Sequence, residues 1–194
     1  MKRNVFYLLL LVVAMSLQSC NYNALVEQEE SVDKAWAEVE NQYQRRMDLI
    51  PSLVGVVEGY AKHENATLTS VIEARSKAAS ITLQADELNE ETLAKFQAAQ
   101  DELSRGLGRL MAVAESYPEL KANENFIALQ DQLEGTENRI TVARRNFNDA
   151  AQSFNAAIRK FPTVIYAGWF GFEKRAYFKA APGAEVAPRV QFDF

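Results

Sequence analysis

A single histidine and a single cysteine set narrow limits on the chemistry open to this chain of 194 residues. His63 beside Glu64 is the one acid–base pair that includes an imidazole, the side chain that most readily carries protons near neutral pH. No nucleophile motif stands near it. Carboxylate-bridged di-iron bundles need a Glu three residues before a His on each of two helices, and Tyr60 holds that position before the only His, which excludes such a centre. One Cys makes neither a disulfide framework nor a Cys/His zinc set. The sequence therefore calls for no metal, no cofactor and no catalytic residue.

Arginine offers more. Arg46 falls in a heptad core slot between Val39 and Leu53, where a guanidinium is costly unless a carboxylate meets it. Asp48, Glu134 and Glu137 are the available partners, and the expected result is an interhelical ion-pair network that fixes register. Replacing Arg46 would then strand a buried carboxylate. The competing reading is an anionic-ligand site built on Arg45, Arg46 and Arg144. A formal net charge of −5 argues against a nucleic-acid partner, because neutralising phosphates takes clustered Lys and Arg.

The elements that must hold these residues are long helices. Phe126, Leu133, Ile140, Phe147, Phe154 and Phe161 recur every seven residues, and Leu129, Ala143, Ala150 and Ala157 form a second series three residues on. A strict seven-residue repeat implies supercoiled, bundle-type packing, here in one helix over about residues 119–160. Phe96, Leu103, Leu110 and Tyr117, with Leu93, Leu107 and Ala114, mark the preceding helix. Tyr117-Pro118 is the hinge between the two. The first segment interleaves Leu25, Val32 and Val39 with Trp36, Tyr43, Ile50 and Val57, running through Pro51, which predicts a kinked helix more than a stop. Leu68, Val71, Ile72 and Ala78 continue a helical face beyond a break near Lys62-His63-Glu64-Asn65. Residues 81–90 form the main loop, with Asn89 as a cap for the next helix. The expected architecture is all-α, an antiparallel up-and-down bundle of four helices.

The two ends differ in kind. Lys2 and Arg3 precede an apolar run over residues 5–17, too short for the ~20 residues that a helical crossing needs. The run leads into Leu17-Gln18-Ser19-Cys20, which is similar to the bacterial lipobox and marks Cys20 for lipidation. The expected organisation is a signal peptide over residues 1–19, a helical bundle over 20–161 and an aromatic-rich tail over 162–194 that packs on the bundle. Trp169 to Phe178 is expected to fold back over one bundle end, the alternative being an exposed aromatic docking patch. Gln191-Phe192-Asp193-Phe194 could add a strand to a partner's sheet, a disordered terminus being the simpler expectation.

Longer stretches carry a family resemblance. Tyr22-Asn23-Ala24-Leu25-Val26, Trp36, Gln44-Arg45-Arg46-Met47-Asp48-Leu49-Ile50-Pro51-Ser52-Leu53-Val54 and Gly59-Tyr60-Ala61-Lys62-His63-Glu64 come first. Glu73-Ala74-Arg75, Glu115-Ser116-Tyr117-Pro118-Glu119-Leu120-Lys121-Ala122, Gln132-Leu133-Glu134-Gly135-Thr136-Glu137-Asn138-Arg139-Ile140 and Ala143-Arg144-Arg145 follow, then Phe147-Asn148, Phe161-Pro162, Gly171-Phe172 and Tyr177-Phe178. In these segments the chain resembles the LemA family of bacterial membrane-associated helical proteins. The resemblance implies a four-helix bundle at a membrane and transfers no catalytic residue. Two departures stand out: a lipobox where many members look as if they keep a transmembrane helix, and Ser52 where the family usually has Asn.

Together these readings predict a non-catalytic, lipid-anchored protein of the cell envelope, holding the membrane through Cys20 and binding or organising another envelope protein. The alternative is an enzyme or enzyme accessory acting on an envelope substrate through Arg45, Arg46 and His63. It requires those side chains to converge in a pocket with Asp48 or Glu64. Asn21 follows the cysteine where an Asp would resemble an inner-membrane retention signal, which favours the outer membrane.

Overall fold

The computed structural model describes the backbone of residues 2–180 and the side chains of residues 22–180, so the Cys20 side chain and the final Gln191-Phe192-Asp193-Phe194 lie outside what is described. The two heptad series of the first segment wind a single helix, α1 (Lys2–Tyr60), that passes through Pro51 without stopping. An interior proline leaves the carbonyl four residues back without its N–H donor. That carbonyl belongs to Met47, and Arg75 Nε donates to it at 2.9 Å. A side chain from the next helix thus replaces the bond that Pro51 removes.

The bend at residues 61–64 opens α2 (Asn65–Ala79), where the break is expected. A 3-10 turn at Ala85–Glu87 interrupts the loop that follows. Asn89 caps α3 (Glu90–Ala114), its Oδ1 accepting from the N–H groups of Glu91 at 2.9 Å and Thr92 at 3.0 Å. Tyr117 is extended and Pro118 opens the short α4 (Pro118–Lys121), as the hinge reading requires. The single helix expected over residues 119–160 is instead divided. Asn123 turns extended and caps a separate α5 (Glu124–Arg159), accepting from Phe126 N–H at 3.0 Å. Heptad periodicity is blind to this break because it lies before the series begins.

The four long helices pack as two pairs, α1 along α5 and α2 along α3. Trp36 meets Phe147 and Arg46 meets Glu137, so ten residues along α1 correspond to ten residues back along α5: the pair is antiparallel and in constant register. Two apolar clusters divide at Arg46. One holds Ile50, Leu53, Val57, Val71, Leu103, Leu110, Leu120 and Phe126, and all four long helices contribute to it. The other joins α1 and α5 to the start of α3, the loop at Leu83 and Leu88, and the tail residues Phe172, Ala176 and Phe178.

The tail reaches that second cluster by reversing direction. After α5 come two 3-10 turns, Thr163–Ile165 and Ala167–Phe170, closed by Gly171 in the left-handed region at φ 81°, which a side chain would strain. The chain then runs back as an extended strap. Asn155 holds it by bonding both the N–H and the carbonyl of Arg175, at 2.9 and 2.8 Å, and Asn148 does the same for Phe178 at 2.9 and 3.0 Å. In the turns only Thr163 and Ala167 are buried, and the buried aromatic residues of the tail begin at Phe172. Trp169, expected to fold onto the bundle, is 83% exposed, and Phe161, the last member of its heptad series, lies exposed beyond the end of α5. Ile72, expected on the inner face of α2, is also exposed.

Candidate functional site

Arg46 sits at mid-height of the bundle, 1% exposed, with its guanidinium directed across to α3 and α5. Nη1 donates to Glu137 Oε1 at 2.7 Å and to Ser104 Oγ at 2.9 Å. Nη2 donates to the side-chain oxygen of Gln100 and, at 3.3 Å, to its backbone carbonyl. The guanidinium carbon also stands 5.0 Å from the centre of the Tyr43 ring. Three helices are tied through one side chain, as the register reading expects, and Glu137 is the partner among the three candidate carboxylates.

The pair is asymmetric. The Arg46 side chain is 2% exposed and that of Glu137 is 44% exposed, so the carboxylate reaches water while the guanidinium does not. The expectation that removing Arg46 strands a buried carboxylate is therefore corrected: the group at risk is the arginine. Burial pushes the Tyr43 hydroxyl above its ordinary pKa of 10.0, against the pull of Arg144 and Arg46. Its phenol stays neutral at physiological pH.

The other sequence candidates do not gather here. Arg45 lies on the exposed face of α1, and Asp48, also exposed, accepts from Gln44 Nε2 at 2.7 Å. Arg144 lies over the Phe178 ring at 4.6 Å and donates to the Lys179 carbonyl at 3.2 Å. His63 is exposed in the bend between α1 and α2. The convergence of Arg45, Arg46 and His63 that an enzymatic reading needs is not what the side chains form. A cleft of about 260 Å³ lined by Tyr43, Met47, Ile81, Phe96 and Gln100 passes beside the network, but Arg46 is not in its wall. Both of its Nη groups are engaged by protein, and its Nε, which has no hydrogen-bond partner, is buried away from the surface. Among the described residues no three His, Cys, Asp or Glu side chains group closely enough to hold a metal.

With this geometry the comparison with protein-family models decides identity at the family level. Residues 35–192, well over half the chain, match the LemA family. The chain belongs to the LemA family. The match runs past Phe161, so the strap is part of the LemA region together with the helices. The chain is 26% identical to magnetosome protein MamQ of Magnetospirillum gryphiswaldense over 93% of its own length and 74% of that protein's. It is 24% identical to protein LemA of Metamycoplasma hominis, over 91% of its length and 77% of the relative's. Against magnetosome protein MamQ 1 of Paramagnetospirillum magneticum it is 35% identical over 41% of its length, a stretch spanning only 29% of that relative.

This LemA-family bundle holds a second buried arginine that sequence reasoning did not single out. Arg175, in the strap, is 7% exposed; its Nη2 donates to Glu29 Oε1 at 2.8 Å, and its guanidinium carbon stands 5.9 Å from the Phe154 ring centre. Burial raises the Glu29 carboxyl above its ordinary pKa, with Arg175 pulling it back down. Asp33, one turn along α1, is raised by burial as well, and its Oδ1 has no hydrogen-bond partner. No periodicity marks Arg175, because the strap is extended. Gln100 was detectable: it fills the heptad slot between Leu93 and Leu107, a polar residue in the core at the height of Arg46.

Proposed function

We propose that this LemA-family protein is a non-catalytic scaffold of the cell envelope, held to the membrane by lipid on Cys20 and presenting its helical bundle to another envelope protein. The observation that carries the reading is the internal engagement of Arg46: the most elaborate polar constellation among the described residues ties helices together and leaves no reactive group facing a substrate. The lipobox at Leu17-Gln18-Ser19-Cys20 supports the anchor. Among residues 22–180 no helix is long and apolar enough to cross a membrane. Asn21 in place of an acidic residue favours the outer membrane.

The test is the mass of the mature N-terminus together with radiolabelled palmitate. The expected product starts at Cys20 and carries acyl chains, Cys20→Ser abolishes labelling, and fractionated envelopes show the protein with the outer membrane. An intact Met1 or an unmodified Cys20 overturns the anchor.

A further inference from the structure

We propose that the apolar cap formed by Phe161, Val164, Ile165, Trp169 and Phe170 is a membrane-docking surface that seats the Tyr22 end of the bundle in the headgroup layer of a lipid bilayer. Of the ten large apolar side chains exposed among the described residues, these five and Tyr22 belong to one end of the molecule, while Tyr60, Ile72, Ile127 and Val142 are scattered. Scattered apolar residues are ordinary on a protein surface; a gathered patch marks an interaction site.

The cap is built and not frayed. Thr163 and Ala167 are buried and anchor the two 3-10 turns from below, so that Val164 and Ile165 between them are turned outward while Tyr166 packs against the core. Val164 N–H bonds the Lys160 carbonyl at 2.9 Å and Tyr166 N–H the Thr163 carbonyl at 3.1 Å. Trp169 and Phe161, at 83% and 82% exposed, are thus held open by ordered backbone.

Position and charge select lipid as the occupant. The Phe170 ring lies 5.2 Å from the Tyr22 ring, and Tyr22 is two residues beyond Cys20, so the cap stands at the residue where the acyl chains of the proposed anchor would enter the bilayer. Residues 161–172 contain no charged side chain, and the flanks carry Arg159, Lys160 and Lys174 against Glu173, a local basic excess in a chain whose net charge is −5. Trp and Tyr are the side chains that favour the interfacial layer, and flanking Lys and Arg meet anionic headgroups there. The inference rests on the membrane reading above but not on the chemistry of the anchor.

Trp169 is itself the probe, because the only other tryptophan, Trp36, is 2% exposed in the core. The full-length lipidated protein and its Trp169→Phe variant are placed on phosphatidylethanolamine–phosphatidylglycerol vesicles, plain or with acyl chains brominated near the headgroup. Bromine is expected to remove more than half of the emission that Trp169 contributes and little of what Trp169→Phe retains, and vesicles are expected to cut iodide quenching of Trp169 several-fold. Equal fractional quenching of both proteins overturns the proposal. So does a Trp169 already shielded from iodide without vesicles, which would mean that a second copy or the chain's own last residues cover the cap. Cys20→Ser separates the two readings: quenching that persists in it supports the docking surface without the anchor, whereas a lipidated protein that floats with vesicles while Trp169 stays unquenched retains the anchor and refutes the surface. The paired change Ile165→Ser and Trp169→Ser should weaken vesicle binding of Cys20→Ser at least tenfold while leaving its melting temperature unchanged.

Discussion

The bundle solves the same packing problem twice, once on each side of Arg46, with different materials. Toward the bend at residue 61 all four long helices surround the core, and its buried side chains are aliphatic apart from Phe126. Toward Tyr22 only α1 and α5 run the full length; the other sides are closed by the start of α3, a loop and the strap, and the core fills with Trp36, Tyr43, Phe96, Phe147, Phe154, Phe172 and Phe178. Helices 8–10 Å apart are bridged by Leu and Val from both sides. In this half Trp36 packs on Phe96 of α3 and Phe147 of α5 at centroid distances of 5.4 and 5.6 Å and on Phe178 of the strap at 6.2 Å, while its Nε1 donates to the Leu83 carbonyl of the loop at 3.1 Å.

The largest effect should come from the junction of the two halves. Glu137→Ala leaves the Arg46 charge buried with only Ser104 and Gln100 to meet it, and should destabilise the whole bundle by about 3–5 kcal/mol. Arg46→Met should be milder, about 1–2 kcal/mol, since Glu137 can turn to water. In the Arg46→Met background Glu137→Ala should then cost less than about 1 kcal/mol, because no charge is left to strand. Melting curves of the four proteins check this ordering, and a Glu137→Ala protein that melts like wild type refutes the structural role of the network.

The aromatic half can be opened by itself. Phe178→Ala removes a ring packed on both Trp36 and Phe147 and should cost about 3 kcal/mol. Hydrogen exchange should localise the loss, with amides of residues 25–43 and 140–158 deprotected before those of residues 50–60 and 99–114. Uniform deprotection would mean that the two halves are one cooperative unit.

In the aliphatic half the sensitive point is the backbone at Pro51. Arg75→Met leaves the Met47 carbonyl without a donor and should cost about 1–2 kcal/mol. Pro51→Ala restores an N–H four residues on, so Arg75→Met in that background should cost little. Equal costs in both backgrounds would show that Arg75 acts through something other than that carbonyl.

The smallest effect is a pH dependence confined to the aromatic half. Glu29 and Asp33 have carboxyl groups raised by burial, so the folded state binds their protons more tightly than the unfolded chain. Their contribution favours folding below their ordinary values of 4.5 and 3.8 and is lost as pH rises through the raised ones. Asp33→Asn should accordingly raise the melting temperature at pH 7 and flatten its acid-side dependence. A fall at pH 7 would show that the attraction of Arg175 outweighs desolvation.

The helical half of this comparison was legible from sequence and the other half much less so. Heptads report residues that face a partner helix, and they correctly placed Trp36, Leu103, Phe147 and the buried slot of Arg46. They say nothing of Arg175, Asn155 or Asn148, whose roles depend on an extended strap with no period of its own. Phe161 shows the converse: it keeps the interval but lies past Arg159, where the helix has ended and the interval no longer refers to a face. Glu137 was one of three candidate carboxylates for Arg46, and only the register of α5 against α1 selects it.

The unbroken run of α1 acts as a ruler. From Tyr22 to Tyr60 it rises roughly 57 Å at 1.5 Å per residue. With the Tyr22 end seated on a bilayer, the bend that carries His63 becomes the distal tip, held at a fixed height by a strut that does not telescope, since Arg75 braces the one position where proline would let it buckle. A protein contacted at that tip would be met at a set distance from the membrane.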